Sequence, residues 1–181
     1  GDAYATVIRG IPDLVLILLI FYGGQDMVNR IAPLLGHDEY IDINPFIAGM
    51  GTLGFIYGAY LSETFRGAFM AIPKGQGEAG FAYGMSGLQV FFRILIPQMI
   101  RLAIPGFTNN WLVLIKATAL ISVVGLQDMM FRAKNAGDST HEPFTYILAA
   151  AGIYLAITSV SLLLLRFLEQ RYSAGVKAVE L

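Results

Sequence analysis

Residues 144–165 read FTYILAAAGIYLAITSVSLLLL, 22 consecutive positions without a charged side chain. About 20 helical residues are enough to cross the hydrocarbon core of a bilayer. A helix apolar on every face needs either lipid or a large surrounding protein, and this chain has only 181 residues. The whole chain is 56% hydrophobic and 14% charged, with a mean hydropathy of +0.62. Soluble domains run roughly 45–50% apolar and about 25% charged. So little charge cannot coat a globule in water, and lipid is the solvent that fits. A net charge of -1, without a lysine or arginine cluster, gives no electrostatic case for nucleic acid. The absence of cysteine excludes disulfides, thiolate metal sites and a cysteine nucleophile.

Three further spans are predicted. Phe46–Leu61 is uncharged and continues through Glu63 and Arg66 toward Pro73, with Gly54, Gly58 and Ser62 spaced for close helix approach. Leu102–Leu126 is interrupted by Pro105, Asn109, Asn110 and Lys116, and Val7–Tyr22 has Arg9, Pro12 and Asp13 at its start. Gln25–Asn44 and Gln127–Pro143 are then polar connections rich in acids, and Lys74–Pro97 is the third loop. Gly1–Arg9 lacks the pattern of a cleavable signal peptide, and position 1 is not methionine. The start is therefore expected to be processed, truncated or preceded by further chain.

Four spans place Lys74–Pro97 and both termini on one side and the two acidic loops on the other. Arg9, Arg66, Lys74, Arg93 and Arg101, with Arg166, Arg171 and Lys177, border the first side. Only Arg30, Arg132 and Lys134 border the second, and Lys116 stays within the membrane. The positive-inside rule thus predicts a cytoplasmic Lys74–Pro97 and C-terminus.

That loop carries five glycines between Lys74 and Pro97. Glu78–Tyr83 and Ser86–Ile96 read as short helices separated by Gly84, with Ser86 as an N-cap. Leu88, Phe91, Phe92 and Leu95 recur at helical spacing as an apolar stripe, and Pro97 ends the helix or bends it into the next. Composition alone is equally compatible with an ordinary interfacial helix pair.

The spacing Glu78-Ala79-Gly80, three residues, Gly84, nine residues, Ile94-Leu95-Ile96-Pro97 resembles the EAA motif of ABC-importer permeases. It departs from that pattern at Gly80, where the family has alanine, and at Ile96, where it has leucine. Ile8–Pro12, Tyr60–Gly67, Lys74–Gln76, Asn109–Trp111, Lys116–Leu120 and Phe167–Ser173 extend the likeness over essentially the whole chain. They resemble the polar amino-acid permeases, above all those of histidine/lysine/arginine/ornithine importers.

The resemblance implies an all-α, polytopic membrane protein of the type I ABC-importer permease fold, with residues 1–181 as a single transmembrane permease domain. Such permeases usually have five spans, so the first is expected to be missing from the four here. It implies a bacterial inner-membrane location and a coupling helix at Lys74–Pro97, with Glu78, Ala79, Gly80, Gly84 and Ser86 docking on a cytoplasmic ATPase. Implied partners are a second permease subunit or a second copy, two ATPases carrying ATP and Mg, and an extracytoplasmic amino-acid-binding protein. The chain itself has no GxxxxGK[ST] loop, so ATP must be hydrolysed by another chain, and the resemblance implies a non-catalytic subunit, not an enzyme, with no cofactor of its own.

For the substrate path, Glu63 is the first choice to attract a cationic amino acid, with Asp128 behind it and Asn110 and Lys116 as further candidates. Glu63 and Arg66, three apart, can also neutralise each other. Asn109 and Asn110 can instead satisfy a helix broken near Pro105. His37 and His141 lie beside Asp38, Glu39 and Glu142, but no metal-site spacing joins them, and no metal is expected. A passive channel around the glycine-rich second span, and a membrane-embedded hydrolase using Glu63 or His141, are the alternatives.

Overall fold

A computed structural model describes residues 2–37 and 39–172, all helix or connection and without a strand among the described residues. Asp38, Ser173 and Lys177, used in the sequence reading, lie outside them. The helices are α1 (Asp2–Gly10), α2 (Asp13–Ile31), α3 (Pro45–Met70), α4 (Lys74–Ala82), α5 (Gly87–Val90), α6 (Ile96–Ala117), α7 (Met129–Thr140) and α8 (Pro143–Tyr172). Contacts cluster into two compact units, Gly1–Tyr60 with Val113–Thr158, and Leu61–Leu112 with Ser159–Leu181.

Asp13–Leu35, Gly87–Val124 and Pro143–Arg171 are long and apolar enough to cross a membrane. The 26-residue α3, the fourth expected span, is not among them. Five glycines, Glu63 and Arg66 dilute its apolar character. α8 leaves Leu155, Leu163 and Phe167 exposed along its length and, among residues 143–171, buries only Ala150, as a helix solvated by lipid does.

The expected span at Val7–Tyr22 is displaced. Pro12 is extended (φ -57, ψ 136), which separates α1 from α2, and α2 then runs past Gly23 and Gly24 to Ile31. The polar connection expected from Gln25 therefore begins inside a helix. Its reason is a clamp of two amide side chains one turn apart. Gln25 donates to the Ile41 carbonyl and accepts from the Ile43 amide at 2.9 Å. Asn29 donates to the same carbonyl at 2.9 Å and accepts from the Ile41 amide at 2.8 Å. The extended segment 40–44 is thus held to α2 much as a strand is held to its neighbour. Gly36, at φ 84, closes the preceding 3-10 turn Ala32–Leu35, with Gly36 and His37 donating to Pro33 and Ala32.

α6 corrects a second expectation. Pro105 lies inside an unbroken helix, and the change in geometry comes later, where Thr118–Val124 tightens to 3-10 and ends at Gly125 with φ 90. The second polar connection likewise contains a 12-residue helix, α7. Asp128 caps its start, and His141 at φ 60 ends it. A Cβ on Gly137 would stand 2.7 Å from the Pro143 Cα, so the turn into α8 requires glycine there.

The core of the first unit joins Ile8, Leu16 and Ile17 to Leu53, Ile56 and Tyr57, and these to Ile121 and Val124. Gly49 lets Ile121 sit where a Cβ would be 2.6 Å away.

The clamp yields a residue-specific prediction. A net hydrogen bond is worth about 1 kcal/mol, or roughly a fivefold change in opening. Gln25→Leu should speed hydrogen exchange at the Ile43 amide roughly fivefold, and Asn29→Leu should do so at Ile41. Equal protection of both amides in both variants would contradict the clamp.

Candidate functional site

The segment between α3 and α6 is built by local rules. α4 starts after Pro73, whose extended backbone suits a residue just ahead of a helix. It ends in a Schellman turn: Gly84 donates to Phe81 at 2.9 Å, Met85 donates to Gly80 at 3.1 Å, and Gly84 takes φ +76. A side chain at Gly84 would meet open space, so the requirement for glycine is purely conformational. Ser86 then forms a full capping box. Its hydroxyl accepts from the Gln89 amide and the Gln89 side chain accepts from the Ser86 amide at 2.9 Å.

From α5 the chain does not stop at Pro97. Phe91–Leu95 widens to a π turn, in which the Ile96 amide reaches back five residues to Phe91, and α6 follows directly. Proline has no N–H and its ring collides with the carbonyl four residues earlier. A wide turn just before it accommodates both, so Pro97 is absorbed rather than serving as a stop.

Gly80 is the buried centre of the segment. A Cβ there would stand 2.9 Å from Val90 Cγ2 and 2.7 Å from Ile94 Cδ1. Its smallness therefore serves packing of α4 on the next helix within this chain. The apolar stripe expected at Leu88, Phe91, Phe92 and Leu95 is not the inward face: Val90 is buried, while Leu88 is 72% and Phe92 63% exposed. Glu78 and Ala79 are exposed, and Tyr83 is 90% exposed. The result is a rigid helix pair with an uncovered apolar and aromatic surface beside one carboxylate. Phe69 at the end of α3 meets Phe91, with ring centroids 6.3 Å apart.

The candidate path residues divide between the units. In the second, Glu63 pairs with Arg66 at 2.6 Å. Asn110 donates to Thr64 Oγ1 at 2.8 Å, so it ties α6 to α3 instead of mending a break at Pro105. Gly106, one turn earlier, makes that approach possible, since a Cβ would lie 2.6 Å from Thr64 Cγ2. In the first unit, Lys116 is exposed and forms no ion pair among the described residues. Asp128 accepts from the Phe131 amide at 2.8 Å and also lines a cavity of about 540 Å³. The cavity's other walls come from α3, the end of α6 and α8, including Met50, Thr118 and Tyr154, and Asp128 is its one charged residue.

Sequence reasoning missed one cluster. Asp13 accepts from Tyr57 at 3.3 Å and from Tyr60 at 3.5 Å, and Arg9 lies over the Tyr60 ring at 5.8 Å. Tyr57 and Tyr60 stand three apart on α3, a spacing that signals a shared face but not what it meets. His37 and His141 are exposed, and no group of three metal-ligating side chains occurs among the described residues.

Packing at Gly80 can be tested directly. Overpacking costs about 1–3 kcal/mol, and the branched Val90 cannot swing aside as the tip of Ile94 can. Gly80→Ala should lower the melting temperature of the detergent-purified protein, and adding Val90→Ala should recover part of the loss. Strict additivity of the two changes would show that they do not meet.

The permease of the histidine/lysine/arginine/ornithine transport system, HisQ of Escherichia coli K12, is 54% identical over 180 residues, 99% of this chain and 78% of the relative. The octopine transport permease OccQ of Rhizobium radiobacter is 41% identical over 98% of the chain and 75% of that protein. The arginine ABC transporter permease ArtQ of Escherichia coli K12 is 39% identical over 94% of the chain and 77% of that protein. Among solved structures, a crystal structure of an amino acid ABC transporter with histidines aligns with a TM-score of 0.77 at 31% identity, covering 94% of this chain and 74% of that one. A family model described as the binding-protein-dependent transport system inner membrane component matches residues 2–174. With that match spanning nearly all of its helices, the chain belongs to the family of inner-membrane permease components of binding-protein-dependent ABC transporters.

Proposed function

We propose that the chain is the permease subunit of an ATP-driven importer that carries basic amino acids across the inner membrane by alternating access. The observation that carries this reading is 54% identity over 99% of the chain to a permease named for histidine, lysine, arginine and ornithine. Family membership takes the place of the channel and hydrolase readings. Lys74–Pro97 faces the cytoplasm, as the asymmetry of lysine and arginine supports. There Glu78, Ala79, Gly84 and the cap at Ser86 present a rigid docking surface to a separate ATPase, which holds ATP and Mg. A second permease chain or copy, two ATPases and an extracytoplasmic binding protein complete the assembly.

Asp128 is the path residue with the best setting. A cation moving through a mostly apolar cavity is favoured by one well-placed carboxylate. Glu63, already neutralised by Arg66, contributes less to that attraction.

Reconstituted with its partners, the permease should take up labelled arginine, lysine and histidine in an ATP-dependent manner. Equal uptake of glutamine, or uptake without ATP, would overturn the reading. Glu78→Lys and Gly84→Leu should each abolish most uptake while the chain still inserts normally. The second forces leucine into a left-handed conformation at a cost of about 1–2 kcal/mol. Normal uptake in both variants, with the ATPase still bound, would refute the coupling role.

The two functions of Asp128 separate by substitution. Asn is as good an N-cap as Asp, whereas Ala forfeits about 1 kcal/mol. Asp128→Asn should therefore keep the melting temperature but reduce uptake of cationic substrate, and Asp128→Ala should lower both. Unchanged uptake in Asp128→Asn would leave Asp128 as a cap only.

A further inference from the structure

α4 has two lined faces, and only one contains an acid. Lys74, Gly77, Glu78 and Phe81 border a groove toward Ile72 and Leu95. Gln76, Ala79, Gly80 and Tyr83, about half a turn around, border a separate cavity of about 390 Å³. Opposite them stand Arg93 and Arg101, the two cations of this cavity, and no carboxylate lines it. Neither arginine forms an ion pair among the described residues. Gln98 donates to Gln76 Oε1 at 3.4 Å, which fixes that amide and leaves its nitrogen free to donate. The rest of the lining, Met85, Ile94 and Pro97, is apolar.

Two unpaired guanidinium groups with a side-chain amide form a donor set for a phosphate, since arginine engages phosphate oxygens through paired N–H groups. A bare anion would leave the apolar part of the cavity unused. An amphiphile uses both. Both arginines lie in the first half of the long apolar stretch Gly87–Val124, on either side of the start of α6 at Ile96, and long arginine side chains near the end of a span reach toward the lipid headgroups. We propose that this cavity binds the phosphodiester headgroup of an anionic phospholipid, held by Arg93 and Arg101 on the face of α4 that does not carry Glu78. The proposal rests on the placement of Lys74–Pro97 at the membrane surface given under Proposed function.

The test uses the permease purified with its partners, stripped of lipid, and titrated with phosphatidylglycerol or phosphatidylcholine under native mass spectrometry. Phosphatidylglycerol should bind at least about tenfold more tightly to wild type than phosphatidylcholine does, the scale expected of two arginines at a lipid surface. Arg93→Gln with Arg101→Gln should remove that preference, and Arg93→Lys with Arg101→Lys should keep most of it. Lys134→Gln, in α7, should change nothing and controls for net charge. Equal binding of the two lipids, or full retention by the glutamine variant, would overturn the proposal. So would displacement of the lipid by inorganic phosphate at millimolar concentration, which would mark a free-anion site. Loss of the ATPase from the glutamine variant with lipid binding unchanged would instead make the arginines a protein dock, and would also overturn it. Lipid retention is read on this chain whether or not an ATPase co-purifies, so failure of the coupling assignment leaves a distinct signature.

Discussion

A chain immersed in lipid must satisfy its backbone amides and carbonyls from within itself, and each helix end leaves several of them open. The connections of this protein lie outside the hydrocarbon, and they close those helix ends with groups of the chain itself. α4 closes on the left-handed Gly84, the 3-10 turn after α2 closes on Gly36, and the 3-10 end of α6 closes on Gly125. α5 and α7 begin on side-chain caps from Ser86 and Asp128. Where no helical cap is present, as along 40–44, the amides of Gln25 and Asn29 supply the missing partners. Among the described residues, Gln25, Asn29, Asn44, Ser86 and Asp128 all spend side-chain groups on the backbone of this chain.

Glycine serves two separate purposes here. At Gly84 the surroundings are open and only the positive φ matters, so the residue defines a turn. At Gly80, Gly106 and Gly49 the backbone is ordinary helix, and the absent Cβ admits Val90, Thr64 and Ile121 respectively. Without a strong hydrophobic drive between helices in lipid, such close contacts supply much of the association, through dispersion and short hydrogen bonds. The Asn110–Thr64 bond sits one turn from Gly106 and depends on the approach that Gly106 allows.

Features written in consecutive residues were legible in the sequence. The Ser86 cap, the break at Gly84 and the family's spacing are all local, and the apolar run of α8 needs no partner to be recognised. Gly80 was expected to dock on a separate ATPase, whereas the close contact it makes is with Val90 and Ile94 of the same chain, which no spacing discloses. The end of α2 was misplaced because two glycines and a polar run suggest a loop, whereas Gln25 and Asn29 owe their helical setting to residues 12–18 positions away. Asp13 with Tyr57 and Tyr60, and Asn110 with Thr64, are separated by more than 40 residues and emerge only from packing. The cavity at Asp128 belongs to the same class, since its walls come from three separated stretches of chain.

The two joints flanking the capping box differ mechanically. Between α4 and α5 the chain passes through a left-handed residue, but α4 is pinned across that joint by Gly80 against Val90 and Ile94. Between α5 and α6 the helical hydrogen bonding never lapses, because the π turn takes up the defect that Pro97 would otherwise impose. A load on the exposed face of α4 and α5 therefore has no loose loop in which to dissipate before it reaches the start of α6. A π turn is nevertheless the weakest part of such a rod, with poorer backbone geometry than the helix on either side. Bending under that load should concentrate at Phe91–Leu95, where the ring of Phe69 of α3 lies tilted against Phe91 and limits the direction it can take.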